Sequence, residues 1–414
     1  AVSQESRALE APAEPISKSE LSSALSSPLA GARIRAVGRL AAQAAIADEL
    51  WPIISIALED DEAQVRQRAL QLYAAHPARA KQAVDKLVQR MGDESKVGND
   101  PIWAAAADAL VAVGPTVIPL LIDRLEPEKN VAEYQSACAA LSQFGPRAEP
   151  ALGKLIKIVA HEEGVIGPAL FVIQNIGPKA APAVPVLIAR LEDENFHHQY
   201  WACRSLGAIG RASEPSVPKL IDLLKNGVTS VRRNAAMALG EIGVATDPVL
   251  DDLTKALTDP ISPVRQEAIL ALGKFGPKSE RSLDQLTEIA LNENGSCQSE
   301  AAWAWWQIDD QSVAAVEVLF KQLKGRNAPW DASRLLADVA DRAQVIERIA
   351  EMLDEPNAET RMYVVQTLEQ IGPPAKFTKA RLKSLLEDSE VEVREAAARA
   401  IEAVETPPAA DLPK

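Results

Sequence analysis

The chain has 414 residues, a length that usually means roughly two to four domains, yet only 4% of them are aromatic while 47% are apolar. Alanine and leucine make up the difference, which is typical of helices. A net charge of −14 opposes a phosphate backbone and argues against general nucleic-acid binding. Four histidines and three cysteines are too few for a dense metal site. Apolar stretches such as residues 51–58 are far too short to span a bilayer.

The first predicted element is a flexible N-terminal tail over residues 1–16. Residues 1–15 are polar and lack the apolar core of a signal peptide. Because the sequence begins with Ala1 and not with Met, an exported, for example periplasmic, protein whose signal has been removed and a cytoplasmic protein with a trimmed initiator are equally open.

From residue 17 onward the sequence repeats itself. Weak copies pass through Ile46 and Pro77, and an insertion at residues 94–101 is predicted to be a longer loop. A clear mark follows, an apolar residue and then glycine, with Gly-to-Gly steps of 31, 32, 33, 33, 33 and 96, the last being three steps of 32. About 12 units are predicted over residues 17–405, and a flexible tail over 406–414. The marks are Val113-Gly114, Phe144-Gly145, Ile176-Gly177, Ile209-Gly210, Ile242-Gly243, Phe275-Gly276 and Ile371-Gly372.

Each unit is predicted to contain two helices. In residues 231–243 the apolar positions 231, 235, 238, 239 and 242 share one helical face. Gly243 is expected to end this helix in the left-handed conformation, and a following proline, as at Pro178, cannot continue it. The next helix should start with proline in its first turn, as at Pro185 and Pro218.

Arginine recurs just after the first apolar residue of the second helix, and acids recur in the turn before it. Because a guanidinium can bind a carboxylate through two hydrogen bonds, the two columns predict a ladder of ion pairs between neighbouring units. The alternative at any one site is solvated surface charge. The arginines are Arg35, Arg66, Arg232, Arg265, Arg361 and Arg394, and the acids are Asp60, Asp61, Asp259, Asp354 and Asp388.

This pattern resembles HEAT repeats, in particular the short HEAT-like subtype of phycobilin lyase subunits. The resemblance is carried by SVRRNAAMALGEIG over residues 230–243 and IGPKAAPAVPVLI over residues 176–188, and it covers nearly the whole chain. It implies an all-α fold, a right-handed α–α superhelix in which residues 17–405 form one solenoid. It implies little about function, because such repeats serve as scaffolds, adaptors, lyase subunits and a few enzymes.

In HEAT-type solenoids the face of each second helix opposite the core lines the concave surface. This face lies about ten, six and three residues before the glycine mark. Most units place small or charged residues there, but the middle units place large apolar and cationic ones. Since Trp, Tyr and Arg are enriched in interface hot spots, we predict a partner-binding patch. It consists of Phe171, Tyr200, Arg204, Arg233, Met237, Leu270, Trp303, Trp306, Trp330 and Arg334.

The alternative is that some of these side chains are packed inside the solenoid. Trp305 is expected at a core position, and Trp201 at a contact between units. Cys138 and Cys203 occupy the same column two units apart, too far for a disulfide, and are predicted to be buried thiols.

Catalytic and metal motifs are sparse. The pair His161-Glu162 is similar to those of the HEAT-repeat deoxyhypusine hydroxylases, which use several such pairs around two irons. No GxSxG, P-loop or Rossmann glycine pattern is present. We therefore expect no cofactor and no metal.

The predicted function is a non-enzymatic scaffold or adaptor that binds a protein or peptide partner on its concave face, with no nucleic acid and no membrane span. Two alternatives stay open: a structural subunit of a larger complex, extracytoplasmic if the chain is exported, and a chromophore-lyase-like subunit. Carbohydrate binding would rest on the number of tryptophans alone.

Overall fold

A computed structural model describes residues 15–43, 45–161, 165–292, 296–309, 312–325, 329–339 and 343–406. The predicted tails lie outside these ranges, apart from residues 15, 16 and 406. The chain divides into two compact units, Ala1–Ile209 and Gly210–Lys414. The predicted all-α class is confirmed, because nearly every described element is a helix.

The first unit consists mainly of helices, in which a shorter first helix mostly alternates with a longer second helix, and it contains one pair of short strands. Its elements are α1 (Lys18–Leu25), α2 (Ala30–Ala41), α3 (Trp51–Ala57), α4 (Ala63–Ala75), α5 (Pro77–Gln82), α6 (Val84–Gln89), β1 (Lys96–Val97), β2 (Asp100–Pro101), α7 (Ile102–Val113), α8 (Ile118–Asp123), α9 (Val131–Phe144), α10 (Leu152–His161), α11 (Gly167–Ile176), α12 (Val184–Leu191) and α13 (Phe196–Ile209).

The second unit continues the same alternation. Its helices are α14 (Val217–Asn226), α15 (Thr229–Ile242), α16 (Asp247–Ala256), α17 (Ser262–Phe275), α18 (Leu283–Leu291), α19 (Gln298–Ile308), α20 (Val313–Lys324), α21 (Pro329–Val339), α22 (Ala343–Glu351), α23 (Ala358–Ile371), α24 (Lys379–Ser384) and α25 (Val391–Glu405). Short 3₁₀ turns join many of the pairs, for example Gly276–Ser282 before α18.

Within each unit, the second helix of one repeat packs on the second helix of the next. In the first unit α4, α7, α9, α11 and α13 contact one another in that order, and in the second unit α15, α17, α19, α21, α23 and α25 do so. Small side chains permit the close approach. A Cβ atom on Gly240 would lie 2.8 Å from the Cβ of Ala271 on the neighbouring helix. The core is therefore thin and built from alanine as much as from leucine.

The insertion at residues 94–101 differs from the predicted loop. Residues 96–97 and 100–101 pair as an antiparallel two-stranded ribbon, with Lys96 opposite Pro101 and Val97 opposite Asp100. Gly98, at φ +63°, forms the tight connection. The sequence of this insertion has no alternating apolar pattern, so the ribbon was not visible in advance.

The glycine marks end the helices as predicted, but the left-handed conformation holds at only some of them. All seven marks have positive φ, and Gly243, which precedes valine, is left-handed at ψ 22°. Gly145, Gly177 and Gly276, which precede proline, have ψ between −130° and −138°. Proline disfavours helical ψ values in the residue before it. A Gly-Pro mark therefore leads into a 3₁₀ turn, as Gly210-Arg211 also does. Pro185 and Pro218 sit in the first turn of α12 and α14 as predicted.

The predicted ladder of ion pairs is present and joins consecutive repeats. Arg66 donates through Nε and Nη2 to both carboxylate oxygens of Asp93, and its Nη1 donates to the backbone oxygens of Asp60 and Asp61. Arg361 binds Asp388 in the same way, at 2.8 Å for both hydrogen bonds. The aspartate also accepts a backbone N–H two residues later, as Asp388 does from Glu390. Each arginine thus ties the turn before its own helix to the turn of the following repeat.

Three members of the predicted column differ from this scheme. Arg394 donates to the backbone oxygens of Asp388 and Ser389 in the turn before its own helix, and to no carboxylate among the described residues. Arg33 takes the position assigned to Arg35 and binds Asp60 at 2.8 Å, whereas Arg35 is exposed. Arg265 binds the backbone oxygen of Asp259 and the hydroxyl of Ser296, not a carboxylate. The irregular first repeat shifts the phase of its column by two residues, which the glycine marks could not reveal.

The ladder predicts a large stability difference between two arginine substitutions. Arg361→Gln removes a mostly buried bidentate pair and should lower the free energy of unfolding by about 1–3 kcal/mol. Arg35→Gln changes the charge equally at an exposed site and should stay within about 0.5 kcal/mol. Urea titrations followed by circular dichroism measure both. Equal effects would contradict the ladder.

The same pairs predict a pH dependence. Hydrogen bonds from Arg361, against an opposing effect of burial, hold the pKa of Asp388 below its ordinary value. The stability from this pair is therefore full above the ordinary carboxyl pKa and is lost as the pH falls through the depressed value. The unfolding free energies of wild type and Asp388→Asn should differ at pH 7 and converge toward pH 2. If the difference in unfolding free energy stays constant over this pH range, ionisation of Asp388 does not contribute to stability.

Candidate partner-binding surface

The turn before α13 orients the side chains of that helix. Asp193 accepts hydrogen bonds from the backbone N–H of Asn195 at 3.1 Å and from Nδ1 of His198 at 2.8 Å. Burial opposes ionisation, but these bonds, with one from Arg190, lower the pKa of Asp193 to about 2. Gln199 donates to the backbone oxygen of Asp193 at 2.8 Å. The first turn of α13 is therefore fixed.

Four side chains of α11 and α13 form what we call the aromatic–arginine cluster: Phe171, Tyr200, Trp201 and Arg204. The Trp201 ring meets Phe171 edge-on at a centroid distance of 5.5 Å and Tyr200 edge-on at 5.1 Å. The guanidinium carbon of Arg204 lies 5.7 Å from the Tyr200 ring and 5.9 Å from the Trp201 ring. Edge-to-face rings and cation–π contacts at these distances are favourable. The cluster is thus rigid, and Phe171 remains 39% exposed.

Arg204 occupies an unusual electrostatic position. It is half-buried and its Nε donates to Oε1 of Gln174 at 3.2 Å. Among the described residues it forms no ion pair and its two Nη groups have no hydrogen-bond acceptor. Arg233, by contrast, binds Glu267 through Nε and Nη2 at 3.1 and 2.9 Å.

The predicted patch residues of the second unit lie in differing environments. Met237 and Leu270 are half-buried on α15 and α17. Trp330 is 54% exposed near the start of α21. Arg334, half-buried, lies near the buried Glu300, whose pKa is raised by burial and lowered in part by a hydrogen bond from Gln266 and by the charge of Arg334.

The family of these repeats follows from the sequence match. The family described as HEAT repeats matches residues 154–240, 217–306 and 346–412, which together are more than half of the chain. The chain belongs to the HEAT-repeat family. No curated protein matches it significantly.

Solved structures agree with this fold. The karyopherin Kap121p bound to the extreme C-terminus of the protein phosphatase Cdc14p matches with a TM-score of 0.56 and 13% identity, covering 94% of this chain and 58% of that chain. Kap121p bound to Ste12p matches at 0.51 and 12%, covering 93% and 56%. This chain thus spans less than two thirds of the karyopherins. At such identity the likeness shows the HEAT-repeat fold alone.

The HEAT packing corrects the prediction that Trp303 and Trp306 are exposed. They are only 8% and 7% exposed. The ring of Trp303 lies over Gly273, where a Cβ atom would come within 2.4 Å of it. Trp306 shares its position, three residues before the expected mark, with Gly240 and Gly273. In those two glycine-marked repeats the position faces the neighbouring repeat as well, so the position three residues before the mark was wrongly assigned to the exposed face. Trp305, expected in the core, is half-buried.

Two grooves between consecutive first helices escaped the sequence analysis. In the first unit a cavity of about 570 Å³ lies between α3 and the α5–α6 pair, above Tyr73. In the second unit a cavity of about 250 Å³ lies between α20 and α22, with Trp306 on its wall. In each, an arginine covers an aromatic ring: Arg79 over Trp51 and Arg348 over Phe320. No local motif signals them, because the walls of the first come from four helices and those of the second from three.

The remaining groups singled out in the sequence are the cysteine thiols and the pair His161-Glu162. Cys138 and Cys203 are buried as predicted, and burial raises both pKa values, that of Cys203 to about 12. Glu162, the partner expected for His161, lies outside the described residues. Within the described ranges, no group of three or more His, Cys, Asp or Glu side chains is placed to hold a metal ion.

The tryptophans of the second unit should differ sharply in their effect on stability. Trp306→Ala removes a buried ring and should cost about 3–5 kcal/mol. Trp330→Ala removes a half-exposed ring and should cost about 1 kcal/mol or less. Denaturant unfolding of both variants tests the burial of Trp306. A small loss of unfolding free energy for Trp306→Ala would show instead that the Trp306 ring is exposed.

Two glycine substitutions should have effects of opposite sign. Gly273→Ala places a methyl group against the Trp303 ring and should destabilise by about 1–3 kcal/mol. Gly153→Ala, in α10, meets nothing within 4 Å and should stabilise by about 0.5–1 kcal/mol through helix propensity. Thermal and urea melting compare them. A stabilising Gly273→Ala would contradict the packing of Trp303.

Proposed function

We propose that this HEAT-repeat chain is a non-enzymatic scaffold that binds a protein or peptide partner through the aromatic–arginine cluster. The observation that carries the proposal is an exposed Phe171 ring supported by Trp201, with a half-buried Arg204 beside them. Aromatic and arginine side chains held rigidly at a surface dominate interface energetics, because little conformational entropy is lost when they bind. A solenoid fold does not need these groups at such positions.

The chemistry of the cluster supports recognition over catalysis. Its polar groups are a guanidinium, a phenol, an indole N–H and the amide of Gln174, and none of them forms a nucleophile–base pair. Karyopherin structures of the same fold hold protein segments, including the C-terminus of Cdc14p. That likeness supports a peptide or protein as the partner class.

We propose further that the chain has neither nucleic acid nor a membrane as its partner. The net charge of −14 disfavours a phosphate backbone. The segment Gly167–Leu191 has the length and hydropathy of a membrane span. It is interrupted, however, by a 3₁₀ turn over Gly177–Ala183, and α11 packs on α9 and α13. Such a break would leave backbone groups without hydrogen bonds in lipid.

The test is Phe171→Ala compared with Ile56→Ala. Ile56 is 61% exposed on α3 and serves as the control, since its replacement removes exposed apolar area outside the cluster. We expect at least a tenfold loss of partner capture from the native source for Phe171→Ala, as at interface hot spots. Both variants should unfold within about 1.5 kcal/mol of wild type. Capture is read by quantitative mass spectrometry of the eluates. Equal capture by both variants would refute the cluster as the binding surface.

A further inference from the structure

The cluster contains a cation with unused hydrogen-bonding capacity. A guanidinium has five N–H donors, and Arg204 uses its Nε on Gln174. The tyrosine and tryptophan rings lie against it, so they fix its plane without supplying a counter-charge. The four Nη donors have no acceptor among the described residues. The Nη groups of this half-buried cation are therefore available to bind an anion from outside the chain.

Elsewhere the chain supplies a carboxylate to several comparable arginines. Arg33, Arg66, Arg232 and Arg361 each bind an aspartate 27 residues later, and Arg233 binds Glu267. The chain is rich in acids, with 58 Asp and Glu against 44 Lys and Arg. Arg265 and Arg394 also lack a carboxylate, but their Nη groups bind backbone or hydroxyl oxygens. Arg204 differs because it lies against two rings while its Nη groups have no acceptor among the described residues.

We propose that the cluster binds a peptide segment of the partner in which a carboxylate lies two or three residues from an apolar side chain. This inference rests on the proposed function and names the chemistry of the partner. The carboxylate receives two parallel hydrogen bonds from the Nη groups of Arg204, and the apolar side chain packs on Phe171.

The dimensions fit this segment. The Phe171 ring lies 5.5 Å, and the Arg204 guanidinium carbon 5.9 Å, from the same Trp201 ring centroid. An extended peptide advances about 3.3 Å per residue and places side chains two residues apart on one face, and a helical turn does the same for residues three apart. Both spacings therefore present the two side chains to the cluster together. A single guanidinium matches the single charge of a carboxylate. Phosphorylated motifs are recognised by several arginines together, which makes a phosphate the weaker fit.

The experiment uses a phage-displayed library of random seven-residue peptides as the probe, with the full chain as bait. Wild type, Phe171→Ala, Arg204→Gln, Arg204→Lys and Arg281→Gln are selected in parallel. Arg281→Gln is the charge-matched control because Arg281 lies outside the predicted patch and its guanidinium is already paired with Asp247 and Asp251. Thermal melting verifies that each bait is folded. Enriched peptides are then synthesised with the acid, with the matching amide and with phosphoserine, and their affinities are measured by fluorescence anisotropy.

The proposal predicts enrichment of an Asp or Glu two or three residues from an apolar residue. Arg204→Gln and the amide peptide should each weaken binding about tenfold to a hundredfold, as expected for a charge-assisted pair. Arg204→Lys should bind at an intermediate level because the forked geometry is lost. Arg281→Gln should match wild type.

The two proposals fail in different ways. If the selected peptides depend on Phe171 but show no acid, and Arg204→Gln binds them normally, the carboxylate is refuted and the binding surface stands. If the phosphoserine peptide binds more tightly than the acid peptide, the anion that Arg204 binds is a phosphate and the carboxylate proposal is refuted. If Phe171→Ala selects the same peptides as wild type, the surface itself is wrong and both proposals fall.

Discussion

The structure depends on one constraint: a two-helix repeat is too thin to bury its own apolar face and must pack on the next repeat. Alanine and glycine at the contact let second helices approach closely, as Gly240 does with Ala271. The arginine ladder then fixes the register, because each guanidinium binds a turn on either side of its helix. Composition, glycine spacing and ion pairs are therefore three consequences of the same requirement.

The aromatic–arginine cluster lies where this ladder is interrupted. The residue 27 positions before Asp193 is Ile166, so no arginine of the preceding repeat reaches that carboxylate. His198 and Arg190 bind it instead, and Gln199 takes the backbone oxygen that an arginine binds in other repeats. The turn keeps its shape through local residues. The exposed faces of α11 and α13 then carry Phe171, Tyr200 and Arg204 without a structural need for them.

Sequence reasoning predicted the fold well because a period near 33 residues with Gly-Pro marks has few structural solutions. It also identified Phe171, Tyr200 and Arg204, which the structure brings together, but it assigned Trp201 only to packing between repeats. It was wrong about Trp303 and Trp306, because packing on the neighbouring repeat buries side chains at these positions, and the pattern within one repeat does not show that packing. The grooves beside Trp51 and Trp306 were not predicted, since the walls of each are formed by several separate helices.

The most direct test of the account is photo-crosslinking from inside the cluster. A benzoylphenylalanine at position 171 replaces one aromatic ring with another that reacts only with groups within a few ångströms, and the same residue at position 56 is the control. The account predicts a discrete crosslinked partner from position 171 that disappears when Arg204→Gln is added, and none from position 56. Identical products from both positions, or a product from position 171 that is indifferent to Arg204, would contradict it.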